Sequence, residues 1–146
     1  CPYIWGGKGT HLFDSQKGLV GNPYIGNEWG HEPVLVFDCS GLVTWCVLQT
    51  AKLDVRGKWS AQTMFEDQSP KVSEATPHLR FYGGGETHIS HVAIGIAIVG
   101  GKALIAEASG GDHTTTTVVE ARKRNAKVRC GFERRADLVG IRTLPA

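Results

Sequence analysis

The sequence predicts an α+β fold in which one long helix packs on an antiparallel sheet of five or six strands. Two observations carry this prediction: a helical apolar pattern follows Asp38, and short apolar, β-rich segments joined by glycine turns come after it. Because helices and strands in separate runs are typical of α+β folds and not of alternating βαβ units, the order of elements favours this class.

The long helix is predicted to begin after Asp38, a residue type favoured at the N-cap. The spacing of four apolar residues places them on one helix face: Leu42, Val43, Cys46 and Val47. Cys39 then falls in the first turn, and Cys46 is interpreted as a small buried apolar residue. A second, shorter helix is expected over 60–67, with Ser60 as its cap.

The sheet is predicted from apolar segments bounded by turn residues. Strands are expected at 79–82, 91–99, 103–108, 114–119 and 138–143, after an extended entry at 2–5. Gly100-Gly101 reads as a tight hairpin turn. Residues 8–33 are rich in Gly, Asn, Asp and Pro and are expected to form one long loop, a feature that is often functional. The basic stretch 122–135 is interpreted as a solvated face.

Composition limits the class of protein. The 146 residues, 41% of them apolar, fit a single domain over 1–146. A net charge of +2 does not argue for nucleic-acid binding. No apolar run approaches the roughly 18 residues of a membrane span, and no secretory signal is present, the aromatic opening being typical of a processed boundary. The four cysteines lack CxxC spacing, which disfavours a zinc site; whether Cys1 and Cys130 pair stays open.

Cys39 is the candidate nucleophile. A helix N-terminus favours a thiolate, because its free N–H groups and macrodipole stabilise negative charge. The Cys39 N–H would also face a tetrahedral oxyanion. His91, which opens the predicted central strand, is the candidate base. Pairing about the Gly100-Gly101 turn brings position 91 opposite 107–110, so Glu107 can accept the second ring N–H and orient the imidazole.

Less specific interpretations stay open for these residues. Cys39 could be an inert core cysteine, His91 a structural histidine and Glu107 a surface acid, in which case Asp112 or His113 would orient the base. His88 and His91 do not share a face with an obvious third ligand, so a metal site is disfavoured. Trp29, in the long loop, is a candidate for substrate contact.

Five segments, in order along the chain, resemble the NlpC/P60 family of cell-wall cysteine peptidases. They are PYIWGG at 2–7, FDCSGLV at 37–43, Ser60-Ala61-Gln62, LRFYG at 79–83 and ISHVAIGI at 89–96. The resemblance covers most of residues 2–110 and implies a papain-like fold. It assigns Cys39 as nucleophile, His91 as base and Glu107 as the third polar residue.

The resemblance also implies roles around the nucleophile. Tyr3 would direct its hydroxyl into the site, to bind the substrate or the oxyanion. Asp38 and Ser40 flank the nucleophile and in relatives can contact the free amine of the substrate peptide. This chain departs from the family at 8–36, a long insertion between WGG and FDCSG that is expected to form one wall of the cleft. It also departs at His78, where relatives usually have Asp.

The implied function is a peptidoglycan hydrolase that cuts an amide bond of the stem peptide, with D-γ-glutamyl to the diamino acid favoured, through a thioester acyl-enzyme. No cofactor or metal is expected. The expected site of action is the cell wall, which the protein would reach by secretion, in the periplasm or by phage delivery. Its biological role would be that of an endolysin or an antibacterial effector. An inhibitor or immunity protein would be a further partner. A transferase or toxin acting on a non-wall amide and an inactive wall-binding module are the alternatives.

Overall fold

The protein is described here by a computed structural model that covers residues 1–11, 35–70, 73–74 and 77–145. Most of the predicted 8–36 insertion, including Trp29, lies outside these residues. In the described part, the elements in chain order are strands β1 (Lys8–His11) and β2 (Leu35–Phe37), helices α1 (Cys39–Ala51) and α2 (Ala61–Asp67), strands β3 (His78–Gly85), β4 (His88–Val99) and β5 (Lys102–Ser109), helix α3 (Val118–Arg124), and strands β6 (Lys127–Phe132) and β7 (Leu138–Arg142).

The main sheet has five antiparallel strands in the order β6-β5-β4-β3-β7, and β1 pairs with β2 in a separate two-stranded sheet. The first four strands of the main sheet form a meander, and β7 returns to pair with β3. Helices α1 and α2 both contact β4 at the centre of this sheet. The predicted α+β fold, with a long helix on an antiparallel sheet, is confirmed.

The main core lies between the two helices and the sheet. Its fully or nearly fully buried members come from all of these elements: Val43, Val47, Trp59, Met64, Phe65, Leu79, Phe81 and Val92. Both helix starts follow the predicted caps. The Asp38 carboxylate accepts from the Gly41 N–H at 2.7 Å, and Ser60 and Thr63 form a reciprocal capping box.

A second core fixes the N-terminal segment against the start of α1. Tyr3 and Ile4 are buried with Phe37 and Leu42 in this cluster. The backbone joins the segment to the rest of the molecule, because the Ile4 N–H donates to Phe37 O at 3.1 Å and the Asp38 N–H donates to Gly7 O at 2.9 Å. The predicted extended entry is therefore a structural support for the helix N-terminus.

One prediction for the chain after β5 is wrong. Residues 114–119 were expected to form a strand, but 118 opens helix α3, whose cap Thr117 accepts from the Glu120 N–H at 3.1 Å. The β-branched run suggested a strand, yet a threonine cap followed by Glu-Ala-Arg-Lys-Arg stabilises a helix. The basic stretch 122–135, interpreted as a solvated face, is mostly exposed or half-buried and also contains β6, which pairs with β5 along its whole length.

Strand boundaries also differ from the prediction. Residues 8–11 were assigned to a loop, but they form β1, because pairing with β2 satisfies their backbone groups. β4 begins at His88 and not at His91, so the candidate base lies inside the strand. The four cysteines are free, so Cys1 and Cys130 do not pair. Within the described residues no helix has the length and apolar character needed to cross a bilayer.

His78, the residue that departs from the family pattern, is fully buried at the start of β3. Its Nε2 lies 3.2 Å from Nη1 of Arg80. Its ring also occupies the space beside Gly95 on the paired strand, where any Cβ would overlap it. The substitution therefore lies in the interior of the sheet, and His78 does not line the cleft described next.

Candidate active site

A cavity of about 650 Å³ opens at the N-terminus of α1. Its walls come from the entry segment, the first turn of α1, the start of α2, the beginning of β4 and the turn after β5. Besides Cys39 and His91, five candidate site residues from the sequence line it: Tyr3, Asp38, Ser40, Asp112 and His113. The fold thus brings together residues that are far apart in the chain.

Cys39 is the first residue of α1 and is buried, with 8% of its surface exposed. The Asp38 side chain accepts the Gly41 N–H, and the earlier N–H groups of the first turn have no acceptor within the helix. The 13-residue helix adds the positive end of its macrodipole at this point. Cys39 therefore lies where negative charge on sulfur, or on an oxygen next to it, is stabilised.

His91 is held between Cys39 and Glu107. Its Nε2 lies 2.7 Å from Oε2 of Glu107 in a buried contact. Burial alone would lower the pKa of His91, but hydrogen bonds to Cys39 and Glu107, and then their charges, raise it to about 9. The imidazole is consequently protonated near neutral pH and carries its proton next to the thiol.

The β4–β5 hairpin creates the contact between His91 and Glu107. Ile94 pairs with Ala106 across the two strands, so positions 91 and 107 lie on one face as diagonal neighbours. Burial would raise the pKa of the Glu107 carboxyl, but the hydrogen bond and charge of His91, a hydrogen bond from Ser109 and the charge of Arg129 hold the pKa below its usual range. Glu107 is thus an ionised acceptor for the imidazolium.

Tyr3 is buried and lines the cavity. Burial, and then the negative charges of Cys39, Asp38 and Asp112, raise the pKa of its phenol well above the usual range. The hydroxyl therefore stays protonated and acts as a hydrogen-bond donor. The Tyr3 ring packs on Gly111, where a Cβ would overlap it.

Asp38 and Ser40 are partnered by a residue that sequence analysis assigned only to a loop. The Lys8 ammonium donates to Asp38 Oδ1 at 2.8 Å, to Asp38 Oδ2 at 2.9 Å and to Ser40 Oγ at 3.1 Å. Asp38 also accepts from the Gly6 N–H at 3.0 Å. No spacing pattern in the sequence identifies Lys8, because its position depends on the β1–β2 pairing around the long insertion.

Two further residues that line the cavity were not predicted as site residues. Gln62, at the start of α2, accepts from the Ile89 N–H at 2.7 Å and donates to Glu86 O at 2.8 Å, which fixes the β3–β4 turn beside the base. Arg135 pairs with Asp137 at 2.6 Å. Gln62 falls in a segment that carries the family resemblance, whereas nothing in the sequence distinguishes Arg135 from neighbouring basic residues.

Among the described residues, no group of His, Cys, Asp and Glu side chains is arranged to hold a metal ion. Trp29 lies outside the described residues, so the structure does not place it. The side chains that meet at the cavity are a thiol, an imidazole with an ionised carboxylate behind it, and a phenol donor. This set is suited to nucleophilic attack on an acyl group, with a nearby acid for the leaving group.

A comparison with protein-family models matches the NlpC/P60 family over residues 1–130. The chain belongs to the NlpC/P60 family. The match extends from the entry segment into β6 and therefore spans every element that lines the cavity apart from the segment containing Arg135. Members of the NlpC/P60 family are in general cysteine peptidases or amidases that act on the peptidoglycan of the cell wall. Searches of curated proteins and of solved structures returned no match.

Proposed function

We propose that this NlpC/P60 protein is a peptidoglycan hydrolase that cuts an amide bond of the stem peptide, with the bond from D-γ-glutamate to the diamino acid as the favoured target. The observation that carries the proposal is the buried arrangement at the α1 N-terminus, in which His91 contacts Glu107 at 2.7 Å and interacts with Cys39 strongly enough to raise the pKa of the imidazole. The reaction needs no cofactor, because the thiol and the imidazole supply the nucleophile and the proton donor.

In the first step the Cys39 thiolate attacks the amide carbonyl carbon, and the carbonyl electrons move to the oxygen. The Cys39 N–H and the Tyr3 hydroxyl are the donors available to this oxyanion. The protonated His91 then gives its proton to the nitrogen as the C–N bond breaks. The products are a thioester on Cys39, a free amine and a neutral imidazole.

In the second step the neutral His91 removes a proton from water as the water attacks the thioester carbonyl. Collapse of this tetrahedral intermediate breaks the C–S bond and releases a carboxylic acid and the Cys39 thiolate. Glu107 holds the imidazole in one orientation and stabilises its charged form throughout. Water is the only co-reactant, so hydrolysis balances without an oxidant or a reductant.

The test replaces the nucleophile and measures soluble peptide released from purified cell walls. Cys39→Ala is expected to abolish release, because no other described cysteine lines the cavity. Cys130→Ala, at an exposed thiol on β6, is the matched control and is expected to retain activity. Circular dichroism of both variants reports whether the fold is kept. Full release by a folded Cys39→Ala variant would refute the mechanism.

A further inference from the structure

We propose that Lys8 determines substrate choice, because its ammonium group occupies the part of the cleft beside the Asp38 carboxylate. The protein then selects stem peptides whose N-terminus is acylated over stem peptides with a free N-terminal amine. This inference rests on the proposed hydrolase function and adds a specificity to it. It concerns the cluster of Lys8, Asp38 and Ser40, beside the nucleophile.

The hydrogen-bonding capacity of this cluster is already used. An ammonium has three protons, and Lys8 lies 2.8 and 2.9 Å from the two Asp38 oxygens and 3.1 Å from Ser40 Oγ. The Asp38 carboxylate also accepts from the Gly41 N–H and the Gly6 N–H. A second ammonium could bind Asp38 only by displacing Lys8.

The backbone fixes Lys8 in this position. Lys8 pairs with Phe37 at the start of the β1–β2 ladder, one residue after Gly7, whose carbonyl accepts the Asp38 N–H at 2.9 Å. Gly9 has φ +79° and lies so close to the Trp45 ring that any Cβ would overlap it. The side chain of Lys8 is only 22% exposed. The position of the Lys8 ammonium beside the Asp38 carboxylate is therefore part of the local fold.

A second carboxylate that lines the cavity is also paired with a cation. Among the described residues, Asp38 and Asp112 are the carboxylates that line it. Asp112 is paired with Arg124 at 2.8 Å. Each carboxylate that the described residues contribute to the lining thus has a cationic partner, so this part of the chain offers an incoming ammonium no unpaired carboxylate. An acylated N-terminus carries no charge, so it needs no carboxylate partner in the cleft.

The experiment compares two stem peptides that are identical except for an acetyl group on the N-terminal alanine, by mass spectrometry of their cleavage. The native protein is expected to show a kcat/KM about tenfold or more higher for the acetylated peptide. Lys8→Met is expected to bring the ratio near or below one, because Asp38 is then free to bind the substrate amine. Lys8→Arg keeps the cation and should keep the preference, as should the control Lys102→Met, at an exposed position in the β4–β5 hairpin.

Other results separate this inference from the proposed function. Equal cleavage of both peptides by the native protein, or a ratio that Lys8→Met leaves unchanged, would overturn the role of Lys8 while the hydrolase proposal stands. If the native protein cleaves neither peptide, the proposed function fails. Binding of the two peptides to folded Cys39→Ala protein, measured by calorimetry, then decides: tighter binding of the acetylated peptide supports the inference, and equal or weaker binding overturns it.

Discussion

At the scale of single residues, the protonation of His91 links the structure to the proposed chemistry. Glu107 accepts a hydrogen bond from the ring at 2.7 Å, and Cys39 also interacts with the imidazole. These interactions outweigh burial and raise the pKa of His91 to about 9. The acid that protonates the leaving amine is therefore present at neutral pH, and its loss sets the alkaline limit of activity.

Glu107→Gln keeps a hydrogen-bond acceptor beside His91 but removes the negative charge. The pKa of His91 is raised partly by that charge, so it should fall in the variant, and the imidazole should lose its proton at lower pH. We expect activity on stem peptides to decline above about pH 9 in the native protein and from a lower pH in the variant, with kcat reduced by roughly 10²-fold.

The pH dependence of kcat, measured on a defined stem peptide, checks this prediction. Glu120→Gln, at a half-exposed carboxylate on α3, is the control and should leave the alkaline limb in place. If the alkaline limb of Glu107→Gln coincides with that of the native protein, Glu107 does not orient the base. Asp112 is then the next residue to test.

The residues of this site could be predicted because their positions depend on local rules. Asp38 is an N-cap that places Cys39 in the first turn, and a two-residue glycine turn brings His91 and Glu107 to adjoining strands. Lys8 could not be predicted in the same way. It contacts Asp38 only because two strands separated by residues 12–34 pair with each other, and no local pattern specifies a contact at that separation.

At the scale of elements, the junction between the entry segment and α1 supports the site. Gly41 lies in the first turn of α1, and the Gly7 carbonyl passes so close to it that a Cβ at Gly41 would overlap the oxygen. This close approach allows the Asp38 N–H to reach Gly7 O and brings Gly6 and Lys8 to the Asp38 carboxylate. The helix N-terminus and the entry segment are therefore one structural unit.

Gly41→Ala should separate the two parts of this junction, because the Gly7 backbone and the Asp38 carboxylate leave the methyl group no room. We expect the free energy of unfolding to fall by roughly 2–4 kcal/mol, since overpacking against backbone is among the costly classes of substitution. Urea denaturation measures the change. The control Gly131→Ala adds a methyl group in β6 where no atom lies within 4 Å. Equal stability of Gly41→Ala and the native protein would contradict the account of the junction.

Strand β6 was not predicted from the sequence. Strand β6 is half-exposed and basic, and it is stabilised by its ladder with β5, in which Glu107 pairs with Arg129. Its apolar residues Val128, Cys130 and Phe132 alternate with other residue types, but the many basic residues around them favoured a solvated face over a strand. In contrast, β4 and β5 are apolar and joined by a tight turn, and both were predicted with only small errors at their ends.

At the scale of the whole molecule, a buried polar network joins the sheet to the β6–β7 connection. Arg80, which is 3% exposed, donates to Glu133 at 2.8 Å, and the Tyr82 hydroxyl donates to the same carboxylate oxygen at 2.7 Å. The Tyr82 ring lies next to His91, with 5.6 Å between ring centroids. The segment after β6 thus covers the sheet behind the candidate base and helps to hold the base in place.

The overall architecture was predictable because it follows from the order of elements and from apolar patterning, and both are readable without long-range contacts. The return of β7 to β3 and the docking of Glu133 on Arg80 are different, because they depend on charges and turns that only the assembled sheet brings together. Position 78 shows what sequence patterns alone do not predict. A histidine in place of the family's usual aspartate gave no structural expectation, yet it fills the space beside Gly95.

The central claim is that the Cys39 thiolate, with His91 as its acid and base, hydrolyses one amide bond of the peptidoglycan stem peptide. Mass spectrometry of muropeptides of known structure, digested with the native protein and with Cys39→Ala, tests it most directly. The account predicts a single cut between D-γ-glutamate and the diamino acid by the native protein, with the mass of one water added across the two products, and no cut by the variant. Intact muropeptides after prolonged incubation with folded native protein, or the same products from Cys39→Ala, would contradict it.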